Sequence, residues 1–464
     1  MHGFENSGQP LLDDPHDTRP WYRLLNGYQW FVFIVAALGW MLDCFDQQLF
    51  MMARQPAMAD LLPAGSTRAT INTYGSYAVS IFLMGWGIGG LIFGVMGDRI
   101  GRAKTMMITI LMYSIFTGLS AISTGFWDFA AYRFLTGMGV GGEFAVGVAL
   151  VAEVMPDRAR PYTLALLQAL SAVGNISAAF VSMGMGQLVA QGHVESIWRP
   201  MFVIGAVPAL LALVVRWWLK EPERWQQVSH EGGIAKKLGS YRELFGHPVW
   251  RRHALIGLAL AFSGIVGLWG IGFFVFDLVA DIFRERFVAQ GLSGDQLTGK
   301  IAQWRGYASM MMNIGAALGM FGFAILAQRM GRKPTFAVCF IAALVSTAAT
   351  FYFLEEFHQV FWMIPIMGFC ILSLFAGYAV YFPELFPTHL RSTGTSFCYN
   401  VGRFVAASGS TLTGLLISFY AGTAESGDAA MPMRYAGLTM CGIFVLGLLV
   451  LPFAPETKGR PLPE

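Results

Sequence analysis

The chain has 464 residues, of which 55% are hydrophobic and only 13% are charged. A typical soluble domain is about 25% charged, so a soluble fold of this length would have too few charges for its surface. The composition therefore excludes an ordinary soluble enzyme and a disordered chain, and a net charge of +3 gives no reason to expect a nucleic-acid partner. A membrane protein with several spans remains.

Twelve stretches are long and apolar enough to cross a membrane, which takes about 20 residues per helix. They are predicted near residues 28–53, 74–97, 105–123, 128–153, 161–190, 198–219, 253–283, 302–327, 334–354, 360–383, 393–420 and 434–453. We expect an all-α membrane protein with two pseudo-symmetric bundles of six helices. The predicted domains are a tail, a bundle, a central loop, a second bundle and a tail, over residues 1–25, 26–219, 220–252, 253–453 and 454–464.

Positive charge is distributed unevenly between the two sides of these spans. With the N-terminus on the cytoplasmic side, 21 of the 31 Lys and Arg residues lie on that side and 8 on the other. This asymmetry predicts a plasma (inner) membrane protein with both termini in the cytoplasm. The five cysteines are scattered through apolar stretches, so neither a metal site nor a disulfide framework is expected.

An internal repeat supports the two bundles. Arg99, Gly101 and Arg102 after the second span recur as Arg329, Gly331 and Arg332 after the eighth. Two further matches follow in the same order. Glu153, Pro156 and Arg160 recur as Glu384, Pro387 and Arg391, and the run Glu221-Pro222-Glu223-Arg224 after the sixth span is similar to Pro455-Glu456-Thr457-Lys458 near the C-terminus. Three ordered matches at nearly constant offset indicate a duplicated six-helix unit, a plan known among transporters.

The Asp98-Arg99-x-Gly101-Arg102 turn resembles the signature of the major facilitator superfamily. The runs 133–143, 384–391 and 455–459 are similar to those of its branch of sugar porters and of sialic-acid and aromatic-acid symporters. Three departures matter. Lys104 is displaced by one residue from the usual basic doublet because Ala103 intervenes. Gln328 replaces the acid of the second turn, and the glutamine pair of sugar porters is missing from 263–272.

The resemblance implies a charge cluster that closes the cytoplasmic side, with Asp98 contacting the start of the eleventh span. The predicted gating residues are Gly94, Asp98, Arg99, Gly101, Arg102, Glu153, Arg160, Arg329, Gly331, Arg332, Glu384 and Arg391. Because Gln328 carries no charge, we expect the cluster to be stronger at the first turn. The alternative is that these charges only set the orientation of the chain.

Ionisable residues inside spans are costly and are candidates for function. Asp43, Asp46 and Gln47 share one face of the first span. Two carboxylates one turn apart in an apolar setting cannot both ionise cheaply, so one is expected to bind a proton. The alternative is a solvated pair near the outer surface.

Four further polar residues in spans are candidates for proton or substrate contact. Arg133 either meets Asp46 or an anionic substrate, or extends to the membrane interface. Glu143 is either a proton carrier or a structural hydrogen-bonding group. In the eleventh span, Asn400 and Arg403 are candidates for an anion site, since a guanidinium suits a carboxylate, although Arg403 could instead neutralise Glu143.

We expect a secondary transporter that moves a small organic or sugar acid by alternating access with proton symport, as a monomer. Its partners are then a small-molecule substrate, protons and the bilayer, with no cofactor beyond the proton gradient. A neutral sugar porter or a proton-coupled exporter is the alternative within this class. A non-transporting sensor would need a signalling domain for which the tails leave no room, and the catalytic motifs of intramembrane enzymes do not occur.

Overall fold

A computed structural model of the chain describes residues 19–66, 68–190, 198–230, 238–403, 412–413, 415–417, 419–420 and 430–463. Within these ranges the regular structure is helical and includes no strand. Most of the predicted tail over residues 1–25 and part of the predicted eleventh span lie outside the described residues.

The first part of the chain contains nine helices among the described residues. They are α1 (Gly27–Leu61), α2 (Arg68–Ile100), α3 (Arg102–Ser120), α4 (Phe126–Val154), α5 (Arg160–Ala190), α6 (Trp198–Gly205), α7 (Ala209–Trp218), α8 (Glu223–His230) and α9 (Tyr241–Gly246). The first helix begins at a reciprocal cap: the Asn26 side chain accepts from the Gln29 backbone N–H at 2.8 Å, and the Gln29 side chain accepts from the Asn26 N–H at 3.0 Å.

The rest of the chain is also helical where the structure describes it. Its described helices are α10 (Pro248–Val266), α11 (Val275–Ala289), α12 (Gly294–Met330), α13 (Arg332–Phe353), α14 (Val360–Leu385), α15 (Arg391–Ser396), α16 (Met431–Met440) and α17 (Gly442–Val450). Single turns of π-helix occur at Gly267–Ile271 and Phe397–Val401, within the predicted seventh and eleventh spans. Such turns are frequent at functional sites.

Ten helical segments in the described part of the chain are long and apolar enough to cross a membrane. The predicted sixth span is instead two shorter helices, α6 and α7, because Pro208 lies between them and has no backbone N–H to continue the first helix. Large apolar side chains such as Trp127, Phe180 and Leu210 are more than 60% exposed, as suits a lipid environment. The chain is an integral membrane protein of all-α class.

The chain forms two compact units. Unit 1 contains Met1–Ala254, Ala379–Val401 and Gly459–Glu464, and unit 2 contains Leu255–Tyr378 and Gly402–Lys458. Unit 1 thus includes the end of α14, all of α15 and the following π turn. The domain boundaries given by the sequence stay a prediction.

Glu221 caps the helix that follows the first repeated turn. Its carboxylate accepts hydrogen bonds from the backbone N–H groups of Ala103 and Lys104, both at 3.1 Å, at the start of α3. The turn needs glycine at 101, where φ is +112° and a Cβ would meet the Glu221 carboxylate. An acid at a helix N-terminus satisfies free donors and complements the helix dipole.

Glu456 makes the corresponding cap in the second half. It accepts from the N–H groups of Arg332 at 2.9 Å and Lys333 at 3.0 Å, at the start of α13, and Gly331 has φ of +98°. The bonded pair lies one residue earlier than in the first copy because Pro334 has no N–H to offer. The sequence repeat therefore reproduces a helix cap in three dimensions.

Replacing Glu456 by Gln is expected to lower the free energy of unfolding by about 1 kcal/mol at neutral pH. Partial burial raises the pKa of Glu456, but hydrogen bonds from four backbone N–H groups outweigh it, and the pKa falls below its ordinary value of 4.5. A lowered pKa stabilises the fold above the ordinary value, and this contribution is lost as the pH falls through the folded-state pKa. Unfolding in detergent, compared with the exposed control Glu285→Gln, should show a difference between wild type and Glu456→Gln that disappears in acid. A difference independent of pH would contradict the assignment.

Candidate functional site

Helices α1 and α4 bring four ionisable side chains into the interior of unit 1. Asp43 and Asp46 of α1, and Arg133 and Glu143 of α4, are each at most 1% exposed. Three acids and one base in an apolar bundle require either partners or protons, since an isolated buried charge is very unfavourable.

Arg133 pairs with Asp46. Its Nη1 lies 3.8 Å from Asp46 Oδ2, and its other nitrogens donate to three hydroxyl groups on α3 and α4: Ser120 at 3.0 Å, Thr117 at 3.1 Å and Thr136 at 3.0 Å. These hydroxyls replace part of the hydration that the guanidinium loses on burial.

Aromatic rings surround the same guanidinium. The Arg133 Cζ lies 5.3 Å from the ring centre of Phe50, 6.0 Å from that of Phe129 and 4.7 Å from that of Phe202. The negative ring faces add a weaker attraction to the cation. The alternative in which Arg133 extends to the membrane interface is therefore wrong, because the side chain ends inside the bundle.

Asp43 has a different partner from the one suggested by its position in the sequence. Its carboxyl group lies within hydrogen-bonding reach of the Glu143 carboxyl group across the α1–α4 contact. The spacing of Asp43 and Asp46 suggested that these two acids compete for one proton. In the structure the opposed acids are Asp43 and Glu143, and Asp46 has Arg133 instead.

The remaining predicted site residues are more scattered. Gln47 is half-buried on α1. Asn400 lies in unit 1, where its amide donates to the Gly141 carbonyl at 3.3 Å and to the Ser396 hydroxyl at 3.0 Å. Arg403 is half-buried and belongs to unit 2. Their roles in binding stay predictions.

Asp98, at the end of α2, holds the start of α15. Its carboxylate accepts from the Ser392 N–H at 3.1 Å, from the Thr393 N–H at 2.8 Å and from the Thr393 hydroxyl at 2.6 Å. The Thr393 hydroxyl also lies 3.3 Å from the Gly94 carbonyl. This is the contact that the resemblance implied, and the N-terminal end of a helix favours such an acid.

A second carboxylate, that of Glu153, connects an arginine of the first half of the sequence with one of the second half. Glu153 Oε1 accepts from Arg102 at 2.9 Å and from Arg391 at 2.8 Å, and Arg102 is also 3.0 Å from Asp98 and 2.6 Å from the Thr388 carbonyl. Burial lowers the pKa of Arg391 to about 10, and the facing Glu153 opposes that shift, so Arg391 stays charged at neutral pH. We call Asp98, Arg102, Glu153 and Arg391 the gate cluster.

Other predicted gating residues lie around this cluster. Arg99 donates to the Leu238 carbonyl at 3.1 Å, and Arg160 donates to the Ala152 carbonyl at 2.9 Å and contacts Asp157, while Glu384 is buried in unit 1. Arg160 thus bonds its own turn, whereas Glu153 and Arg391 form the central pair.

The second copy of the turn keeps only part of the first. Arg332 donates to the Ala327 carbonyl at 3.4 Å, just as Arg102 donates to the Gly97 carbonyl at 2.8 Å. The Arg329 carbonyl accepts from the Lys458 ammonium at 2.8 Å. At the position corresponding to Asp98 the chain has the uncharged Gln328. That the cluster is stronger at the first turn stays a prediction.

The central loop supplies contacts that sequence reasoning missed. The Trp225 indole donates to the Asp98 carbonyl at 2.7 Å, the Gly239 N–H donates to the His389 carbonyl at 2.9 Å, and the Tyr241 hydroxyl donates to the Leu91 carbonyl at 3.1 Å. Burial raises the pKa of Tyr241, so it stays a neutral donor. Tryptophan and tyrosine in an otherwise polar loop were the available signal for this packing.

We expect Arg133→Gln to lower the free energy of unfolding by about 3–5 kcal/mol, because it leaves Asp46 buried without its cation. Adding Asp46→Asn should restore much of this loss. The control is Arg199→Gln, which breaks the exposed pair with Asp60 and should cost less than about 1 kcal/mol. Chemical unfolding in detergent measures all three; a double variant no more stable than Arg133→Gln alone would argue against the pair.

Removing the Asp98 carboxylate should release the buried segment that follows α15. Cys398 lies in that segment and is fully buried. In a chain whose other four cysteines are replaced by alanine, Asp98→Ala should speed maleimide labelling of Cys398 at least tenfold. Asp60→Ala, at an exposed site, should not. An unchanged labelling rate would mean that Asp98 does not hold the segment closed.

Comparison with known proteins finds transporters along most of the chain. A family model described as "Sugar (and other) transporter" matches residues 23–242. The 4-hydroxybenzoate transporter PcaK of Pseudomonas putida is 26% identical over 453 residues, covering 92% of this chain and 94% of that protein. The sialic acid transporter NanX of Escherichia coli is 27% identical over 389 residues, covering 82% of this chain and 86% of that protein.

A solved structure has the same fold. The proton:xylose symporter XylE superposes with a TM-score of 0.72 at 19% identity, covering 94% of this chain and 98% of that one. The matched family model, these relatives and this fold support a transporter of the major facilitator superfamily. These relatives are transporters of small molecules and not enzymes, and the expected twelve-helix plan is consistent with the described helices.

Proposed function

We propose that this transporter couples the movement of a small organic acid to symport of a proton. It would work as a monomer in the inner membrane with both termini in the cytoplasm, and the proton gradient would be its energy source, with no bound cofactor. Three predicted coupling residues, Asp43, Asp46 and Glu143, would carry or adjust the proton charge.

The single observation that carries the proposal is the buried charge on α1 and α4. A bundle needing only stability would do as well with apolar side chains of similar volume, since buried ion pairs rarely add net stability. Three buried acids with one arginine are costly to keep, and such groups inside a membrane protein are associated with ion pathways.

The choice of an organic acid rests on the relatives. The names of the relatives compared above include 4-hydroxybenzoate and sialic acid, both of which are carboxylic acids. The glutamine pair expected of sugar porters is missing from residues 263–272. Electroneutral symport of a carboxylate with one proton is also the simplest coupling for such a substrate.

The gate cluster fits a role in alternating access. Asp98 and Glu153 hold α15 through hydrogen bonds and ion pairs that must break if that segment is to move away from α2 and α4. We propose that these contacts form while the cytoplasmic side is closed and break as it opens.

Purified protein in liposomes should accumulate labelled 4-hydroxybenzoate or sialic acid when the medium is acidic and the lumen alkaline. For one proton per carboxylate, each unit of pH difference supports about tenfold accumulation. A protonophore should abolish accumulation, and an equal sodium gradient should not replace the proton gradient.

Three results would contradict the proposal. Accumulation driven by sodium alone would exclude proton coupling, and uptake indifferent to both gradients would exclude symport. Uptake of labelled xylose with neither acid transported would favour the neutral sugar alternative. Empty liposomes and liposomes with heat-unfolded protein serve as controls for leakage.

A further inference from the structure

We propose that Asp43 and Glu143 share one proton, and that this opposed carboxyl pair is the proton-binding site while Asp46 stays ionised against Arg133. The inference rests on the proposed function and deepens it, since it selects one pair from the three buried acids. The proton would bind one carboxylate oxygen and donate a hydrogen bond to the other carboxylate, changing the charge of the pair from −2 to −1.

Helix α1 is shaped to receive Glu143. Position 39 lies one helical turn before Asp43 and is glycine, and a Cβ there would collide with Glu143 Oε1. The Glu143 carboxyl group therefore occupies the space that a side chain at 39 would fill, on the same face as Asp43. Only a residue without a Cβ lets the two carboxyl groups meet, so Gly39 is part of the site.

No hydrogen-bond donor of the described residues serves the Asp43–Glu143 pair, so a bound proton is the donor that remains. All four carboxylate oxygens of Asp43 and Glu143 are buried and accept no hydrogen bond from a side-chain or backbone donor in the described part of the chain. Carboxylates are acceptors only, so two ionised groups facing one another would repel and leave every lone pair unsatisfied. One shared proton removes the repulsion and supplies a donor.

The groups that face the pair do not replace that proton. Cys44 and Asp46 come from α1, and Tyr113 comes from α3. Among the described residues, neither Asp43 nor Glu143 has a basic side chain within ion-pair distance, whereas Asp46 has Arg133. The two halves of the acid cluster thus differ in how their charge is balanced: one by a guanidinium, the other by a proton.

Aromatic stacking connects the pair to the segment held by the gate cluster. Trp40 and Phe144, the neighbours of Gly39 and Glu143, lie with ring centres 4.6 Å apart, and Phe144 stacks on Tyr399 at 4.1 Å. Tyr399 follows α15 within unit 1. Movement of this segment would withdraw one ring from the stack beside Glu143, and so link proton access to the gate.

The first test needs no substrate. Infrared spectra of the purified protein at pH 7 should contain a carboxylic-acid C=O band that is absent from the double variant Asp43→Asn/Glu143→Gln. The band should remain in Asp46→Asn/Arg133→Gln, which removes the other pair, and in the exposed control Asp60→Asn. Loss of the band from Asp46→Asn/Arg133→Gln, or its survival in the double variant, would overturn the assignment.

Single variants test whether the two acids act together. In Glu143→Gln the amide can donate to Asp43, so the remaining acid should bind its proton at least tenfold more weakly than the wild-type pair does. This variant keeps nearly the same shape, so it also serves if the double variant does not fold. An unchanged midpoint for the band would mean that each acid binds protons independently.

Transport separates this inference from the proposed function. With 4-hydroxybenzoate as probe, Glu143→Gln should lose accumulation driven by the proton gradient but keep exchange of labelled for unlabelled probe, which needs no net proton movement. Wild type that shows the infrared band but transports neither acid would refute the proposed substrate class and leave the shared proton standing. Unimpaired proton-driven accumulation in Glu143→Gln would refute the shared proton itself.

Discussion

The candidate site depends on how four buried charges are balanced inside an apolar helix bundle. Helices α1 and α4 bury three acids and one arginine, and every one of these charges must be balanced in a region where water is scarce. Arg133 balances Asp46 with the help of three hydroxyls. Nothing comparable balances Asp43 and Glu143 among the described residues, which makes a mobile proton the natural partner. A residue that gains and loses its balancing charge is what coupling to an ion gradient requires.

Buried charges also lie at the C-terminal ends of α2 and α4, in the gate cluster. There the buried charges are matched by fixed groups: Asp98 by backbone N–H groups of α15, and Glu153 by Arg102 and Arg391. Fixed partners make a contact that is strong when formed and costly to leave half-broken, as a gate between two states needs. Unit 1 therefore combines an acid pair that no basic side chain balances with a cluster whose charges are balanced by protein groups, and the Phe144–Tyr399 stack lies between them.

Much of the fold could be predicted from the sequence, because hydropathy and repeated motifs are properties of short stretches of the chain. Ten of the twelve span positions, the duplicated turn and the contact of Asp98 with the start of the eleventh span followed from residue patterns and resemblance. The partner of Asp43 did not, since Asp46 is its neighbour along the helix while Glu143 meets it only through the packing of α1 on α4. Glu221 and Glu456 stand in two similar runs of the sequence, but their role as helix caps depends on helix ends that only the fold brings near them.

The most direct measurement counts protons. Unfolding the purified protein at pH 7 in unbuffered detergent transfers Asp43 and Glu143 to water, where both ionise, so a shared proton must be released. The account predicts that wild type releases one more proton per chain than Asp43→Asn/Glu143→Gln does under the same conditions. Equal release from the two proteins would show that the pair holds no proton in the folded state, and would contradict the central claim.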